Sequence, residues 1–176
     1  MKLVQVRDAS EGDLPGVLAL YSHPDIDGDN LLSVDEARAV LRRFRSYPNY
    51  RLFVACDEER IVGTFTLLII DNLAHRGSPS GLVEDVVVSA DCQYQGIGKQ
   101  MMTFALDRCR DVGCYKMALS SSLKRTAAHR FYESLGFEKH GYSFLVRLAE
   151  AREPAPGSAT RRADARLAPA RVVAHR

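Results

Sequence analysis

The stretch Gln93-Tyr94-Gln95-Gly96-Ile97-Gly98 decides how this sequence is interpreted. It follows an apolar, strand-like segment at 82–88 and opens a helical pattern over about 97–112. Helix N-termini present unpaired N–H groups and the positive end of the helix dipole, so they bind phosphate. Gly96 and Gly98 would let the backbone approach an anion closely. The order of strand, turn, glycines and helix therefore predicts an anion site at the start of this helix.

This loop differs from the two commonest nucleotide-binding loops. The dinucleotide fingerprint needs a third glycine, and Met101 occupies that place. A P-loop would continue with G-K-[ST], and the chain does not. Because glycine pairs also open many ordinary helices, the identification depends on a second motif.

The second motif is Ala128-His129-Arg130-Phe131-Tyr132-Glu133-Ser134-Leu135-Gly136-Phe137. It resembles the A-x-x-F-Y-x-x-L-G-F helix of the GNAT superfamily of N-acetyltransferases, whose Q/R-x-x-G-x-G/A signature Gln93-x-x-Gly96-x-Gly98 also resembles. The two motifs stand in the family's order and at the family's distance. The resemblance covers roughly residues 3–148, and it implies an enzyme that uses acetyl-CoA as cosubstrate.

The resemblance also implies how the cofactor would be held. Backbone amides of 94–99 would clasp the pyrophosphate, with Lys99 just inside the helix. The strand backbone at 86–88 would pair with the pantetheine arm like an added strand. The residues implied to bind the cofactor are Val86, Val87, Val88, Gln93, Tyr94, Gln95, Gly96, Ile97, Gly98, Lys99 and Arg125.

Arg125 is a departure from the general pattern, because many members carry Asn seven residues before the tyrosine. The run Lys124-Arg125-x-x-Ala128-His129-Arg130-Phe131-Tyr132 resembles the form found in aminoalkylphosphonate N-acetyltransferases. The pair Glu84-Asp85 before three valines resembles the corresponding strand of glucosamine-phosphate acetyltransferases. Whether Arg125 contacts the cofactor is left open by this difference.

Acetyl transfer needs a neutral amine, and a lysine-like amine with a pKa near 10.4 costs about 4.6 kcal/mol to deprotonate at pH 7. A general base is therefore useful. Glu84 and Asp85 are the candidates, and alternation along a strand lets only one reach the acceptor unless a bulge intervenes. We favour Glu84, with Asp85 on the substrate side; a structural ion pair is the alternative for either. By the resemblance, Tyr132 would protonate the leaving thiolate; a core aromatic is its alternative role.

The remaining patterns predict an α/β fold with a mixed, mostly antiparallel sheet of about seven strands and about four helices. The strands include a hairpin formed by 51–56 and 61–70 and one or two strands over 137–148. Ser33 is a candidate cap for a second helix. We expect one acetyltransferase domain over 1–149. The Ala, Pro and Arg-rich tail over 150–176 is expected to be disordered.

Composition limits the expected binding partners of the protein and its expected cellular location. The net charge is +2, which gives no argument for nucleic acid. No apolar run is long enough to span a membrane, and the N-terminus lacks a signal core. The four cysteines are read as free thiols. We expect a cytoplasmic protein; many relatives dimerise, although no sequence feature indicates which surface would do so.

Two further signals concern the acceptor side. Residues 25–36 resemble an EF-hand loop, with Asn30 in place of the usual glycine; we predict no metal there and keep calcium as an alternative. His75 and Arg76 could meet an anionic acceptor such as a phosphate or phosphonate. The predicted acceptor is a primary amine of a small molecule. The alternatives are a protein or peptide amine, or a non-catalytic module that senses acyl-CoA or calcium.

Overall fold

The computed structural model describes residues 2–23 and 26–146. Its compact unit extends to His140, and the described residues beyond it, 141–146, contain no helix or strand. Within the described ranges the strands are β1 Gln5–Asp8, β2 Tyr50–Asp57, β3 Arg60–Ile70, β4 Ser80–Val88 and β5 Lys116–Leu119. The helices are α1 Leu14–Tyr21, α2 Val34–Ser46, α3 Ile97–Asp111 and α4 Thr126–Ser134.

The strands form one mixed sheet in the order β1-β2-β3-β4-β5. The first three pairings are antiparallel, and β4 pairs with β5 in parallel. Two of the sequence predictions are confirmed in detail. Strands β2 and β3 form the expected hairpin. Ser33 caps α2, because its hydroxyl accepts the Glu36 N–H while the Glu36 carboxylate accepts the Ser33 N–H.

Helices cover both faces of the sheet. On one face, α3 packs Met101 and Met102 against Phe53, Phe65 and Val83. The other face carries α1 and α2, whose apolar side chains pack on β2 through the cluster Leu14, Val17, Leu41, Leu52 and Val54. Because both faces of β2 and β3 are buried, these strands are apolar along most of their length instead of alternating. We name these two sides of the sheet the α3 face and the α1/α2 face.

The prediction of about seven strands is wrong in number, because the sheet has five strands among residues 2–23 and 26–146. The predicted strands over 137–148 are not formed at 137–146, and 147–148 lie outside the described residues. Their apolar side chains at 142 and 144–146 are between 79% and 92% exposed. A strand needs a hydrogen-bonded neighbouring strand and a face that packs against other residues. Residues 141–146 are exposed and are paired with no strand among the described residues. The tail predicted over 150–176 also lies outside the described residues.

An ion pair joins the first strand to the first helix. The Arg7 guanidinium donates two hydrogen bonds to the Asp13 carboxylate, at 2.7 and 2.8 Å. The Ser10 N–H and hydroxyl donate to the same carboxylate at 2.7 and 2.8 Å. These bonds to Arg7 above all, and those to Ser10, lower the pKa of the buried Asp13 to about 2. The network fixes the entry into α1, which forms the wall of the α1/α2 face.

Asp13→Asn should lower the free energy of unfolding by about 2–3 kcal/mol at pH 7, because Arg7 loses its charged partner and the capping bonds weaken. The contribution of a carboxyl with a lowered pKa is present above its unfolded value near 4. It disappears as the pH falls through about 2. Urea unfolding between pH 7 and pH 2 measures both effects. Asp107→Asn, which removes an exposed pair with Arg110, is the matched control and should change little. Equal losses in the two variants would contradict this account.

Candidate functional site

The sheet opens between β4 and β5. These strands are paired only from Ser80 with Lys116 to Val83 with Leu119. From Glu84 onward β4 keeps β3 on one side, while β5 has ended on the other. The backbone edge at 86–88, predicted to bind the pantetheine arm, lies along this opening. An extended ligand could therefore add to that edge as another strand would.

The predicted phosphate loop has the backbone geometry of an anion cradle. Tyr94 has φ of 60° and Gly96 has φ of 85°, so the chain turns twice through the left-handed region before α3 begins. The Tyr94 side chain is 98% exposed, and Gly96, at the N-cap, has no side chain to satisfy the first N–H groups of the helix. Lys99 is exposed in the first turn. The start of α3 thus has unpaired donors and a nearby cation, which suits a pyrophosphate.

The N-terminal segment holds this loop, through a residue that the sequence did not single out. Gln100 accepts the Val4 N–H at its Oε1, 3.1 Å away, and donates from Nε2 to the Lys2 carbonyl at 2.6 Å. The Lys2 N–H in turn donates to the carbonyl of Gln95 in the loop at 3.1 Å. A polar residue four positions after Gly96 was the only local clue, because its partners in the N-terminal segment are more than ninety residues away. Gln100 is therefore a positioning residue for the loop.

The two sequence motifs touch each other. A Cβ placed on Gly98 would lie 3.1 Å from Cζ of Phe131, so this glycine lets α4 pack closely on the start of α3. Gly98 therefore serves helix packing, whereas Gly96 serves the turn. Tyr132, the next residue, lies with its ring 5.1 Å from Phe131 and 5.6 Å from Phe137. Phe131 thus contacts both Gly98 at the start of α3 and Tyr132, the predicted acid, so the two motifs are positioned relative to each other through Phe131.

Tyr132 is half-buried and packs against the core of the α3 face. Burial raises the pKa of its hydroxyl, and the positive charge of Arg125 partly opposes that change. Arg125 directly precedes α4 and so lies close enough to act on Tyr132. Tyr132, predicted to act at the departing sulfur, and Arg125, a predicted cofactor-binding residue, are therefore near enough to influence each other.

A β-bulge decides which way the two candidate bases point. Thr66 pairs with Glu84, but Thr64 pairs with Val87, so two residues of β4 stand opposite Phe65. The extra residue is Asp85, with φ of 53°. Residues directly opposite each other in an antiparallel pair share a face. Glu84 therefore lies on the face of Thr66, which is the α1/α2 face because Thr66 pairs with the core residue Leu52.

Asp85, the extra residue of the bulge, acts electrostatically on the same face. The negative charges of both Asp85 and Glu84 act on Tyr50 of that face, whose pKa is raised by burial and then by these two carboxylates. Although its side chain still reaches solvent, Asp85 is partly desolvated by its surroundings. This desolvation, and secondarily the charge of Asp27, raise the pKa of Asp85. A strand without the bulge would have turned one of the two carboxylates away.

Tyr21 closes this side of the opening. It is the last residue of α1, and the Thr64 hydroxyl, which donates to the Phe53 carbonyl at 2.9 Å, partly opposes the rise in its pKa. Burial raises the pKa of Tyr21, and the charges of Asp85 and Asp27 raise it further. The phenol is thus a neutral wall between the strand and the loop that follows α1.

His75 and Arg76 are not brought to this place. They lie in the turn before β4, and the His75 ring stacks on Tyr115 with ring centroids 4.0 Å apart. The Tyr115 N–H donates to the Pro79 carbonyl at 3.0 Å, so this pair stands at the first residues of β4. The opening begins at the other end of that strand. A short acceptor whose anionic group is bound by His75 or Arg76 would therefore not reach the bulge with its amine.

The remaining sequence signals contribute no chemistry to the opening. Asp25, the first position of the EF-hand-like stretch, lies outside the described residues, and Glu36 is used to cap α2. No group of three potential metal ligands occurs in the part of the chain that the structure describes. The four cysteines are free, and burial raises the pKa of Cys109 to about 12. No helix within the described ranges is both long and apolar enough to cross a bilayer.

Known proteins are similar to this chain in sequence and in fold. Residues 16–137 match the family model described as "Acetyltransferase (GNAT) family". The chain is 33% identical to glucosamine 6-phosphate N-acetyltransferase of Trypanosoma brucei brucei, over 78% of this chain and 90% of that protein. It is 30% identical to aminoalkylphosphonate N-acetyltransferase of Salmonella typhimurium, over 57% of this chain and 65% of that protein.

A solved structure agrees with these similarities. It is a putative acetyltransferase from Agrobacterium tumefaciens, with a TM-score of 0.76 and 34% identity. The match covers 82% of this chain and 99% of that one. Sequence and structure therefore point to the same family.

Gly98→Ala should be close to neutral or destabilising, although Gly→Ala inside a helix normally stabilises by about 1 kcal/mol. The added methyl group crowds Phe131, and overpacking costs about 1–3 kcal/mol. Thermal unfolding of Gly98→Ala, Phe131→Leu and the double variant measures the coupling. In the Phe131→Leu background the alanine should become stabilising. Additive effects of the two changes would show that the helices do not meet at this point.

Proposed function

The chain belongs to the acetyltransferase (GNAT) family, and on this premise we propose that it transfers an acetyl group from acetyl-CoA to the primary amine of a small molecule by direct attack. The family and its named relatives make it an acyltransferase enzyme. The observation that supports the finer proposal most is the bulge in β4. Two adjacent carboxylates stand at this bulge, at the point where the strand edge becomes open, and there they could meet an acceptor amine.

The residues present fit acetyl-CoA. The uncapped start of α3 suits the pyrophosphate, and the open backbone edge at 86–88 suits an extended pantetheine arm. Lys99, Lys124 and Arg125 supply positive charge at the starts of α3 and α4. The bound cosubstrate supplies an acetyl group activated as a thioester. The overall change forms a C–N bond, breaks the C–S bond and moves one proton from the amine to the departing sulfur.

We assign the base to Asp85, in place of Glu84, the carboxylate favoured from the sequence. An ammonium group with a pKa near 10.4 gives up its proton more readily to a carboxylate whose own pKa is raised. Desolvation raises the pKa of Asp85, and its extra position in the bulge presents it toward Tyr21 and Tyr50. The Asp85 carboxylate would accept the amine proton, directly or through water.

Tyr132 is assigned to the departing sulfur. A thiol resembling that of cysteine has a pKa near 8.5, so full proton transfer from an ordinary tyrosine is uphill by about 2 kcal/mol. Burial raises the pKa of Tyr132 and makes the transfer more uphill still. Its main contribution is therefore a hydrogen bond from Oη to the developing thiolate. A backbone N–H near Val86 would stabilise the acetyl oxygen.

Asp85→Asn should lower kcat/KM for amine acetylation about 100-fold or more, because the base is lost. Asparagine is nearly isosteric and tolerates a positive φ, so the bulge should remain. Glu84→Gln is the matched control, with an expected loss of less than about tenfold. Thiol release from acetyl-CoA in the presence of an amine panel measures both. The carboxylate is the active form of the base. The kcat/KM of the wild type should therefore decrease as the pH is lowered through the raised pKa of Asp85, and this decrease should be absent in Asp85→Asn. A larger loss of kcat/KM in Glu84→Gln than in Asp85→Asn would show that Glu84 is the base.

Tyr132→Phe should lower kcat about 10–100-fold and leave the KM for acetyl-CoA nearly unchanged. The ring keeps its contacts with Phe131 and Phe137, and only the hydroxyl is removed. Tyr94→Phe removes a hydroxyl from an exposed ring in the phosphate loop and serves as the control. If kcat is unchanged in Tyr132→Phe, Tyr132 does not assist the departing sulfur.

A further inference from the structure

Helix α3 ends in a turn that has a cysteine on each side. The Cys114 N–H donates to the Cys109 carbonyl at 2.9 Å, and the Gly113 N–H donates to the Arg110 carbonyl at 3.0 Å. Gly113 has φ of 74°, in the left-handed region. These two bonds and the left-handed glycine define a Schellman motif. In this motif the side chains at the positions of Cys109 and Cys114 commonly contact each other.

The hydrogen bond between the two cysteines also limits the distance between them. It joins the amide nitrogen of Cys114 to the carbonyl oxygen of Cys109, so ordinary bond lengths keep their Cα atoms within about 7 Å of each other. The bond angles along this path shorten the distance further. The pair therefore falls within the range of about 4.4–6.8 Å that the Cα atoms of a disulfide span.

The Cys109 sulfur has a fixed place between α3 and the sheet. It is buried, and a Cβ placed on Gly81 of β4 would overlap it. Gly81 pairs with Met117 of β5, so the sulfur lies against the part of the sheet where these strands are joined. Cys114 is only partly buried and stands two residues before β5. The two thiols thus lie where α3 ends and β5 begins, and one of them can be reached from solvent.

The two remaining cysteines cannot replace either member of this pair. Cys56 belongs to the core cluster of the α1/α2 face, whereas Cys109 belongs to that of the α3 face. Cys92 follows the last residue of β4, and the strand from Gly81 to that residue, Val88, is roughly 20 Å long. A disulfide within the folded chain is therefore possible only between Cys109 and Cys114.

We propose that Cys109 and Cys114 are a dithiol site that hydrogen peroxide converts into a disulfide, and that this bond links the end of α3 to the start of β5. The O–O bond of the peroxide breaks as the Cys114 sulfur takes one oxygen and becomes a sulfenic acid, and the other oxygen leaves as water. The Cys109 sulfur then attacks the Cys114 sulfur; the S–S bond forms, the S–O bond breaks and a second water leaves. The two sulfurs are oxidised, the peroxide is reduced, and both thiol hydrogens leave in the waters. This inference is independent of the proposed acetyl transfer.

The reaction should be slow at neutral pH. Burial raises the pKa of both thiols, so the thiolate, which is the reactive form, is scarce there. The rate of oxidation should therefore increase as the pH rises toward the raised pKa of Cys114.

The test uses the reduced full-length protein, treated with hydrogen peroxide at mildly alkaline pH. Catalase then removes the oxidant, and free thiols are blocked before digestion. Trypsin cleaves after Arg108, Arg110 and Lys116, so it places the two cysteines in different peptides, 109–110 and 111–116. Mass spectrometry should find these two peptides linked without reductant and separate with it. Thiol counting in denaturant should show that half of the four thiols are lost.

Melting curves measure whether the bond holds α3 and β5 together. The disulfide constrains the unfolded chain, so oxidation should raise the melting temperature of the wild type by about 5 °C, and reductant should reverse the rise. Cys114→Ser changes the partly exposed member; it should keep its thiols and show no rise. Cys92→Ala retains the pair and is the matched control, expected to respond like the wild type. Melting curves of the untreated variants check that both fold.

The outcomes decide the proposal. Linked peptides together with a higher melting temperature support it. Four intact thiols after treatment, or linkage of Cys109 or Cys114 to any other cysteine, would overturn it. A linked pair that leaves the melting temperature unchanged or lower would also overturn it, because the bond would then not hold the end of α3 to β5.

Discussion

Strand β4 is hydrogen-bonded to β3 along its length but to β5 only over its first four residues, and every part of the candidate site depends on this unequal pairing. Backbone N–H and C=O groups that no strand pairs must find another partner. The open edge at 86–88 therefore has the hydrogen-bonding capacity of a missing strand. Under the proposed function, the pantetheine arm of the cosubstrate would use that capacity.

The proposed sites for the cosubstrate and the acceptor differ in charge as well as in position. Positive residues stand at the starts of α3 and α4, where an anionic cosubstrate would place its phosphates. The opposite side, lined by Tyr21 and Tyr50, carries carboxylates. Such an arrangement opposes binding of either ligand in the other's place, because each would meet charges of its own sign. The contact between Gly98 and Phe131 joins the two helices that define the positive side.

Local patterns were sufficient for the elements that the chain forms with its own near neighbours. The α2 cap, the β2–β3 hairpin and the glycine-opened helix α3 follow from residues within a few positions of each other, and they were predicted correctly. The strands predicted over 137–148 are not formed at 137–146, for the opposite reason. Alternation shows that a segment could form a strand, but a strand also needs a partner, which an isolated pattern does not reveal. Gln100 was missed because its hydrogen bonds reach the far N-terminus.

The orientation of the two carboxylates shows the same limit within the site. Their identity was visible in the sequence, while the bulge depends on how β4 is paired with β3. Only the tolerance of aspartate for a positive φ hinted at it. The direction of these side chains therefore depends on how many residues of β4 lie between the pair Thr66–Glu84 and the pair Thr64–Val87. Substitutions can change the charge of this wall gradually, whereas loss of one residue would reverse the facing of a carboxylate in one step. Variation among acceptors in such a scaffold would thus proceed by two routes, one continuous and one discrete.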